Sequence, residues 1–507
     1  MKRYLLVFGA LLTASVAGAQ ELSISDAVRL GQDNLNGTAR FRGMSGAFGA
    51  LGGDLSALSV NPAGSTVFAN HQAAFTLTSY NPRNESSYFG TKNSDDYNSF
   101  DLNQAGVVFV WNNRNPESNW KKFAIAANYE NTNNFDNNFY ASGTNPNNSI
   151  GNYFVGYANQ GGVSLDLLTL QNGESISDLY GYLGESFGFG AQQAFLGYQG
   201  FIVNPQSNDP GNETYFSNVL ASGNFNQEYV SETRGYNGKL GINASTQFGE
   251  RLSLGLNLNS HFTDLTQWSS VYESNDGDAA AGVQSLRFNN ELRTLGDGFS
   301  FQLGTIVKVT DGLRLGASWE SPTWYRLEDR LIQSLSSQSA EGGTTVVNPL
   351  VVNIYDDYRL RTPGKWTGSA AYIFGKSGLF SADVTYKDYG NTKYTPTSDY
   401  RGINDAMGDQ LTGAYQLRLG TEWRVKGWSF RGGFRNESSA YEDDDVMGDL
   451  TGFSGGLGYN FGRIKVDAAY NYWQRDYEQQ FFASGMTDAA DVKVTNHNVS
   501  LSMVFDF

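Results

Sequence analysis

Beyond residue 72 this 507-residue chain breaks into fourteen stretches of about ten residues in which apolar and polar side chains alternate. They lie at 73–80, 103–111, 121–130, 235–248, 251–262, 299–309, 313–327, 359–374, 379–388, 413–424, 428–436, 452–461, 464–473 and 497–507. Leu252, Leu254, Leu256 and Leu258 fall on one face of the fifth, against Ser253, Gly255, Asn257 and Asn259 on the other. Val499, Leu501, Met503, Phe505 and Phe507 oppose Asn498, Ser500, Ser502 and Asp506 in the last. A period of two gives a strand with one apolar and one polar face, and about ten tilted residues cross a hydrocarbon core. A soluble sandwich alternates as well, so the connections have to decide. Short links at 112–120, 249–250, 310–312, 375–378, 425–427 and 462–463 alternate with long ones at 81–102, 131–234, 263–298, 328–358, 389–412, 437–451 and 474–496. One rim of tight turns and one of long loops predicts an all-β fold, a 14-stranded antiparallel transmembrane β-barrel over residues 73–507.

The N-terminus agrees with export. Lys2 and Arg3, an apolar run over 4–12 and the small residues Ala17-Gly18-Ala19 read as a signal peptide over residues 1–19. Its loss takes the net charge from −16 to −18, because two lysine or arginine charges and no acids leave with it. Such an acidic chain without a basic cluster excludes nucleic acid as a partner. With no cysteine there are no disulfides or thiolate metal sites, and neither a metal nor a cofactor is expected. Aromatic residues make up 14% of a chain whose mean hydropathy is only −0.41, which suits a barrel and not a helical membrane protein. Tyr80, Trp111, Trp319, Trp366, Tyr386, Trp423, Trp428, Tyr459 and Tyr472 stand where interfacial girdles would lie, against outer-membrane lipid. The terminal Phe507 resembles the signal read by the barrel-assembly machinery. The expected location is the outer membrane of a Gram-negative bacterium.

Residues 20–72 precede the first strand. A short amphipathic helix is expected from Ser25 or Asp26 to Leu30, leading into a stretch crowded with Gly43, Gly46, Gly49, Gly52 and Gly53 and closing on Asn61-Pro62-Ala63-Gly64. Small, apolar and glycine-rich, it suits a segment packed in a narrow space better than a free loop. Gly43, Gly46, Asp54 with Ser56, and Asn61-Pro62-Ala63-Gly64 resemble the N-terminal hatch of the FadL family of outer-membrane transporters. The resemblance implies a monomeric barrel plugged by residues 20–72. It also implies passive uptake of hydrophobic small molecules such as long-chain fatty acids: capture by extracellular loops, transfer to a pocket, hatch rearrangement and sideways escape through the wall. Residues 123–130, in the third strand, contain no glycine or proline to mark the kink such an opening would need.

The longest loop, 131–234, has helix-like spacing at Leu165–Leu168 and at 176–180, followed by Phe187, Phe189, Phe195 and Phe201. These rings either pack locally or greet a ligand, the second being the use the resemblance implies. Inward charges are expected at Arg314, Glu320, Asp383, Lys387, Arg418, Glu422, Arg424, Arg431, Arg435, Lys465 and Asp467. They form wall ladders, or some, Arg418 and Arg431 first, meet a carboxylate.

Catalysis is not expected. An esterase would need a histidine beside a serine, and inward His261 has its neighbour Ser260 facing outward, leaving only a partner on another strand. Gly375-Lys376-Ser377 is a turn, and Glu442-Asp443-Asp444-Asp445 lacks the spacing of a calcium loop. Two other readings remain: an open porin for polar solutes, or a structural or adhesive barrel that uses its loops for protein contact.

Overall fold

The computed structural model describes residues 22–160, 162–219, 224–277 and 281–507; the predicted signal peptide lies outside the described residues. Fourteen strands close on themselves: β1 Gln72–Tyr80, β2 Ser99–Asn112, β3 Trp120–Asn134, β4 Phe225–Phe248, β5 Leu252–Asn275, β6 Val283–Lys308, β7 Leu313–Glu320, β8 Lys365–Phe374, β9 Gly378–Asp388, β10 Gly413–Val425, β11 Trp428–Glu437, β12 Leu450–Asn460, β13 Ile464–Gln480 and β14 Ala489–Asp506. Each pairs antiparallel with its neighbours, and β14 closes on β1 from Gln72↔Asp506 to Ser79↔Val499. Leu501 is half exposed on the outer wall and Ser500 fully buried inside, so the alternation sets lipid and lumen faces as the sequence requires.

Several boundaries differ from the sequence reading. β4, β5 and β6 run to 24, 24 and 26 residues, continuing as strands where loops were expected. Above the lipid band their outer faces carry charge, as in the Arg293–Asp264 pair at 2.8 Å, while their inner faces support a helical cap. The stretches 313–327 and 359–374 are each broken in two. Pro322 and Pro363 have no N–H for the ladder, so β7 ends at Glu320 and resumes as Trp324–Ser339, and Tyr358–Arg361 precedes β8. Tyr80, placed in the girdle, points inward and donates from its hydroxyl to Asn36 Oδ1 at 3.1 Å.

Helices α1 Ile24–Gly31 and α2 Ala39–Arg42 belong to the segment inside the barrel. Ser23 and Thr38 cap them by accepting from the N–H groups of Asp26 (3.0 Å) and Phe41 (3.1 Å). The cap over the mouth comprises α3 Gly151–Gln160, α4 Leu165–Leu168, α5 Ile176–Phe187 and α6 Phe189–Gln199. Its core joins Phe154, Leu168, Leu179, Leu183 and Phe195 to Phe288 of β6 and Leu335 of the β7 extension. Burial of those side chains against strand tops explains why β6 rises so far above the membrane.

Candidate functional site

Residues 38–67 fill the lower barrel, and wall and filling are shaped to each other. A Cβ on Gly255 would come within 2.3 Å of the Pro62 carbonyl carbon, and one on Gly49 within 2.0 Å of Ser369 Oγ. The chain thus omits side chains where the two backbones meet. Gly52, at φ +60°, holds a left-handed turn close against Gly64.

Polar locks hold this floor. The Asp383 carboxylate accepts from the N–H groups of Phe48 (2.9 Å) and Gly49 (3.0 Å). Asn61 donates to the carbonyls of Gly49 (2.7 Å) and of Thr305 on β6 (2.9 Å), while its Oδ1 accepts from Ala63 N at 3.1 Å. Asp54 accepts from Thr38 Oγ1 (2.8 Å) and Ser56 N (2.9 Å), tying the start of the filling to its middle. Arg40 pairs with Glu422 at 2.8 Å, and Ala39 N donates to Ser502 Oγ on β14 at 2.6 Å. Gly43 packs on Gly456 of β12, Gly46 takes φ +76°, and Ala63 is fully buried.

Above the floor lies a small chamber of about 60 Å³, lined by Asp33, Ser56, Glu130, Thr132, Lys239 and Arg418 among others. Most of its charges are paired: Asp33 with Lys365 (2.9 Å) and Lys387 (3.3 Å), Glu320 with Lys365 (3.0 Å), and Lys239 with Glu130 (3.7 Å). Burial alone would raise the Asp33 carboxyl, but the ammonium groups of Lys365 and Lys387 outweigh it and hold the group well below its usual range. Arg418 differs: its Nε is buried with no hydrogen-bond partner among the described residues.

At chamber height the wall is incomplete. The β2–β3 ladder runs from Asn112↔Lys122 to Gln104↔Glu130 and goes no further. Above it, Ser99 to Leu102 stay with β1 and Asn131 to Asn134 stay with β4. A bulge between Asn131 and Asn133 drives the two edges apart. Across the gap Asn131 Nδ2 donates to Asp101 Oδ2. Phe100 and Leu102 are exposed on its outer side. The expectation of an unkinked third strand is therefore corrected: the break follows residue 130, and asparagine makes it where glycine or proline was sought.

Over the chamber opens a vestibule of about 890 Å³, bounded by α1, the upper strands and the helical cap. Chamber and vestibule share Asn34, Leu35 and Asn36 as a common partition. Of the four rings singled out in the longest loop, only Phe189 reaches the vestibule. Phe195 is fully buried in the cap core, Phe201 packs against that core, and Phe187 is exposed away from it. Arg431 is corrected as a ligand contact, because Glu422 (2.7 Å) and Asp467 (2.6 Å) occupy its guanidinium. Arg418 lines the chamber. The carboxamide lining of the vestibule was missed in the sequence, although the asparagines at 133, 134 and 137 were its visible sign.

His261 does find a serine on another strand, with Nε2 at 2.9 Å from Ser300 Oγ. Ser300 is fully buried, and His261 Nδ1 has no orienting acid among the described residues. The pair lacks both access and the third member a serine nucleophile needs.

A closed fourteen-stranded barrel, plugged at one end and parted at a seam above the plug, has the architecture of a plugged outer-membrane barrel. Its fold is shared with the FadL-like channels. A Pseudomonas aeruginosa FadL homologue matches over 94% of this chain and 100% of its own, with TM-score 0.52 and 12% identity. The Pseudomonas putida toluene transporter TodX matches over 94% and 99%, with TM-score 0.51 and 14% identity. No family model and no curated protein matches the sequence.

Proposed function

We propose that this protein takes up hydrophobic small molecules across the outer membrane by passive diffusion, acting as a monomer and without catalysis. The observation that carries the reading is the parted β2–β3 seam beside the interior chamber. A ligand descending from the vestibule meets a floor locked to the wall, and the seam is the exit open to it at that height. Phe100 and Leu102 outside the seam make that exit apolar, suited to release into lipid. The plugged floor weighs against an open porin, and the interior cavities weigh against a purely adhesive barrel. Long-chain fatty acids are the cargo suggested by the hatch resemblance, with Arg418 as a donor to the carboxylate; the toluene transporter among the similar structures adds aromatic hydrocarbons.

The absence of cysteine permits a clean test. A disulfide between Asp101→Cys and Asn131→Cys, whose native side chains touch across the seam, should abolish uptake of radiolabelled oleate or toluene when oxidised. Dithiothreitol should restore it. Uptake indifferent to the bridge would rule out the sideways route.

A further inference from the structure

The short turns of the lower rim divide by charge. Those at 112–120, 249–250 and 310–312 each carry an acid, Glu117, Glu250 and Asp311, the last paired with Lys308 at 3.2 Å. The next three around the barrel, at 375–378, 425–427 and 462–463, carry Lys376, Lys426 and Arg463 and no acid, in a chain whose net charge is −16. Backbone bonds lace these turns side by side, Arg424 N donating to Ser377 O at 2.8 Å and Asn460 N to Gly427 O at 2.9 Å. All three cations are exposed, and the ion pairs of this sector, Arg424–Glu422 at 2.6 Å and Lys465–Asp506 at 2.8 Å, leave them out. Above the same turns the outer wall of β8 to β11 is hollowed into an apolar groove of about 500 Å³. Its bed is made of small residues that face each other across the strands, Ala370↔Ala382 and Thr421↔Gly432, between banks that include Phe380 and Leu419. The Thr421 hydroxyl donates to Leu379 O at 2.9 Å, which leaves the bed apolar. Between groove and turns Phe374 stacks on Trp423 at 5.8 Å, the level at which rings meet head groups.

We infer that this groove and the turns beneath it bind one phospholipid of the periplasmic leaflet with a net-anionic head, of the phosphatidylglycerol type. Short turns face the periplasm in barrels of this kind, so the three cations stand among the head groups of that leaflet. Ala370 lies five residues above Gly375. On a tilted strand that is about 12 Å along the membrane normal, close to the middle of an apolar band about 25 Å tall. Lipid chains of the lower leaflet end at that depth, so one molecule reaches both features, its phosphate at the turns and the far part of a chain in the groove. Lysine and arginine at a membrane surface attract anionic heads, and a guanidinium takes a phosphate bidentately. A zwitterionic head brings its own cation to the same place and gains less. Charge also weighs against a second copy of the chain as occupant: a two-fold pairing through this groove would set like-charged turns against each other. In a ring of fourteen strands β10 lies opposite β3, so a lipid held here leaves the β2–β3 seam clear, and the assignment stands apart from the uptake reading.

The test is native mass spectrometry of the detergent-solubilised protein titrated with dioleoylphosphatidylglycerol and dioleoylphosphatidylcholine. The wild type should hold one molecule of the anionic lipid about tenfold more tightly than the zwitterionic one. Lys376→Ser, Lys426→Asn and Arg463→Ser together should erase that preference and leave phosphatidylcholine binding unchanged; all three positions are exposed, and asparagine suits the φ of +56° at 426. Gly432→Leu fills the bed from a position where a Cβ meets only Thr421 Cγ2, at 3.8 Å, and should weaken phosphatidylglycerol binding about threefold or more. Heat-modifiable mobility on electrophoresis checks that both variants fold. Equal affinity for the two lipids, a preference that survives the turn variant, or binding that Gly432→Leu leaves unmoved overturns the assignment. A doubled mass that Gly432→Leu abolishes overturns it as well, giving the groove to a second copy.

Discussion

The floor and the vestibule of this barrel draw on similar short polar residues but complete them differently. In the floor, Asp383, Asn61 and Asp54 each hold two or more hydrogen bonds, and wall glycines such as Gly255 let the backbones touch. In the vestibule, Asn84, Asn496 and Asn498 each leave a carbonyl oxygen without a partner among the described residues. The floor uses most of its hydrogen-bonding capacity internally, with Arg42 Nη2 and Ser369 Oγ as buried exceptions. The vestibule wall leaves more of it unused. The contrast lies in how completely each region pairs its polar groups, not in residue type.

The strongest way to break the comparison is to remove the floor. Deleting residues 38–64 should raise single-channel conductance in planar bilayers by an order of magnitude or more, since the locks to β6, β9, β10 and β14 go with it; an unchanged conductance would mean that this segment does not seal the barrel. A finer probe sets one residue from each region side by side. Asp383→Leu orphans the N–H groups of Phe48 and Gly49, at about 1–3 kcal/mol each. Asn496→Leu sacrifices an oxygen that has no partner among the described residues and should cost less than about 0.5 kcal/mol. The temperature at which each variant loses its heat-modifiable mobility on electrophoresis would report both, and equal losses would erase the distinction.

A pH-dependent effect is expected at the mouth, on the β7 extension. Asp329 is buried, which pushes its carboxyl up to about 6 against hydrogen bonds from Thr294 and from Tyr358, whose hydroxyl donates at 3.0 Å. The folded protein therefore keeps a proton between about pH 4 and 6 that the unfolded chain releases, and stability falls as pH rises through that window. Above it the ionised group costs up to about 3 kcal/mol. Asp329→Asn should flatten this part of the profile and raise the melting temperature at pH 7, measured by the same mobility shift across pH 4 to 8. A variant that keeps the wild-type slope would assign the dependence to another group.

All fourteen strands were legible because a period of two puts every second side chain against lipid, a pattern no helix can satisfy. Strand length was not, because above the membrane the alternation of Val271 with polar neighbours depends on a cap contributed by residues 151–199, and that of Leu265 on α1 and the segment around Met407. Pro322 and Pro363 sat inside stretches read as continuous, although each announces the lost ladder bond in its own chemistry. Among the site residues, chain order could nominate Arg418 and Arg431 equally. Only the cross-strand neighbours Glu422 and Asp467 tell them apart. The seam was missed for a related reason: a bulge built of asparagine shows itself only when two strands fail to pair.

The bonds from Ala39 to Ser502 and from Arg42 to Asn471 also constrain how the molecule is made. Residues emitted first by the ribosome end up fastened to the last two strands to appear, inside a cylinder that exists only once β14 meets β1. A finished barrel leaves little room to admit its own core through the wall contacts seen here, since Gly255 and Gly316 fit their partners at backbone distance. Zipping of the final strand pair and seating of the interior segment are then one cooperative step. A lesion in residues 38–67 should surface as an assembly defect before it surfaces as a leak.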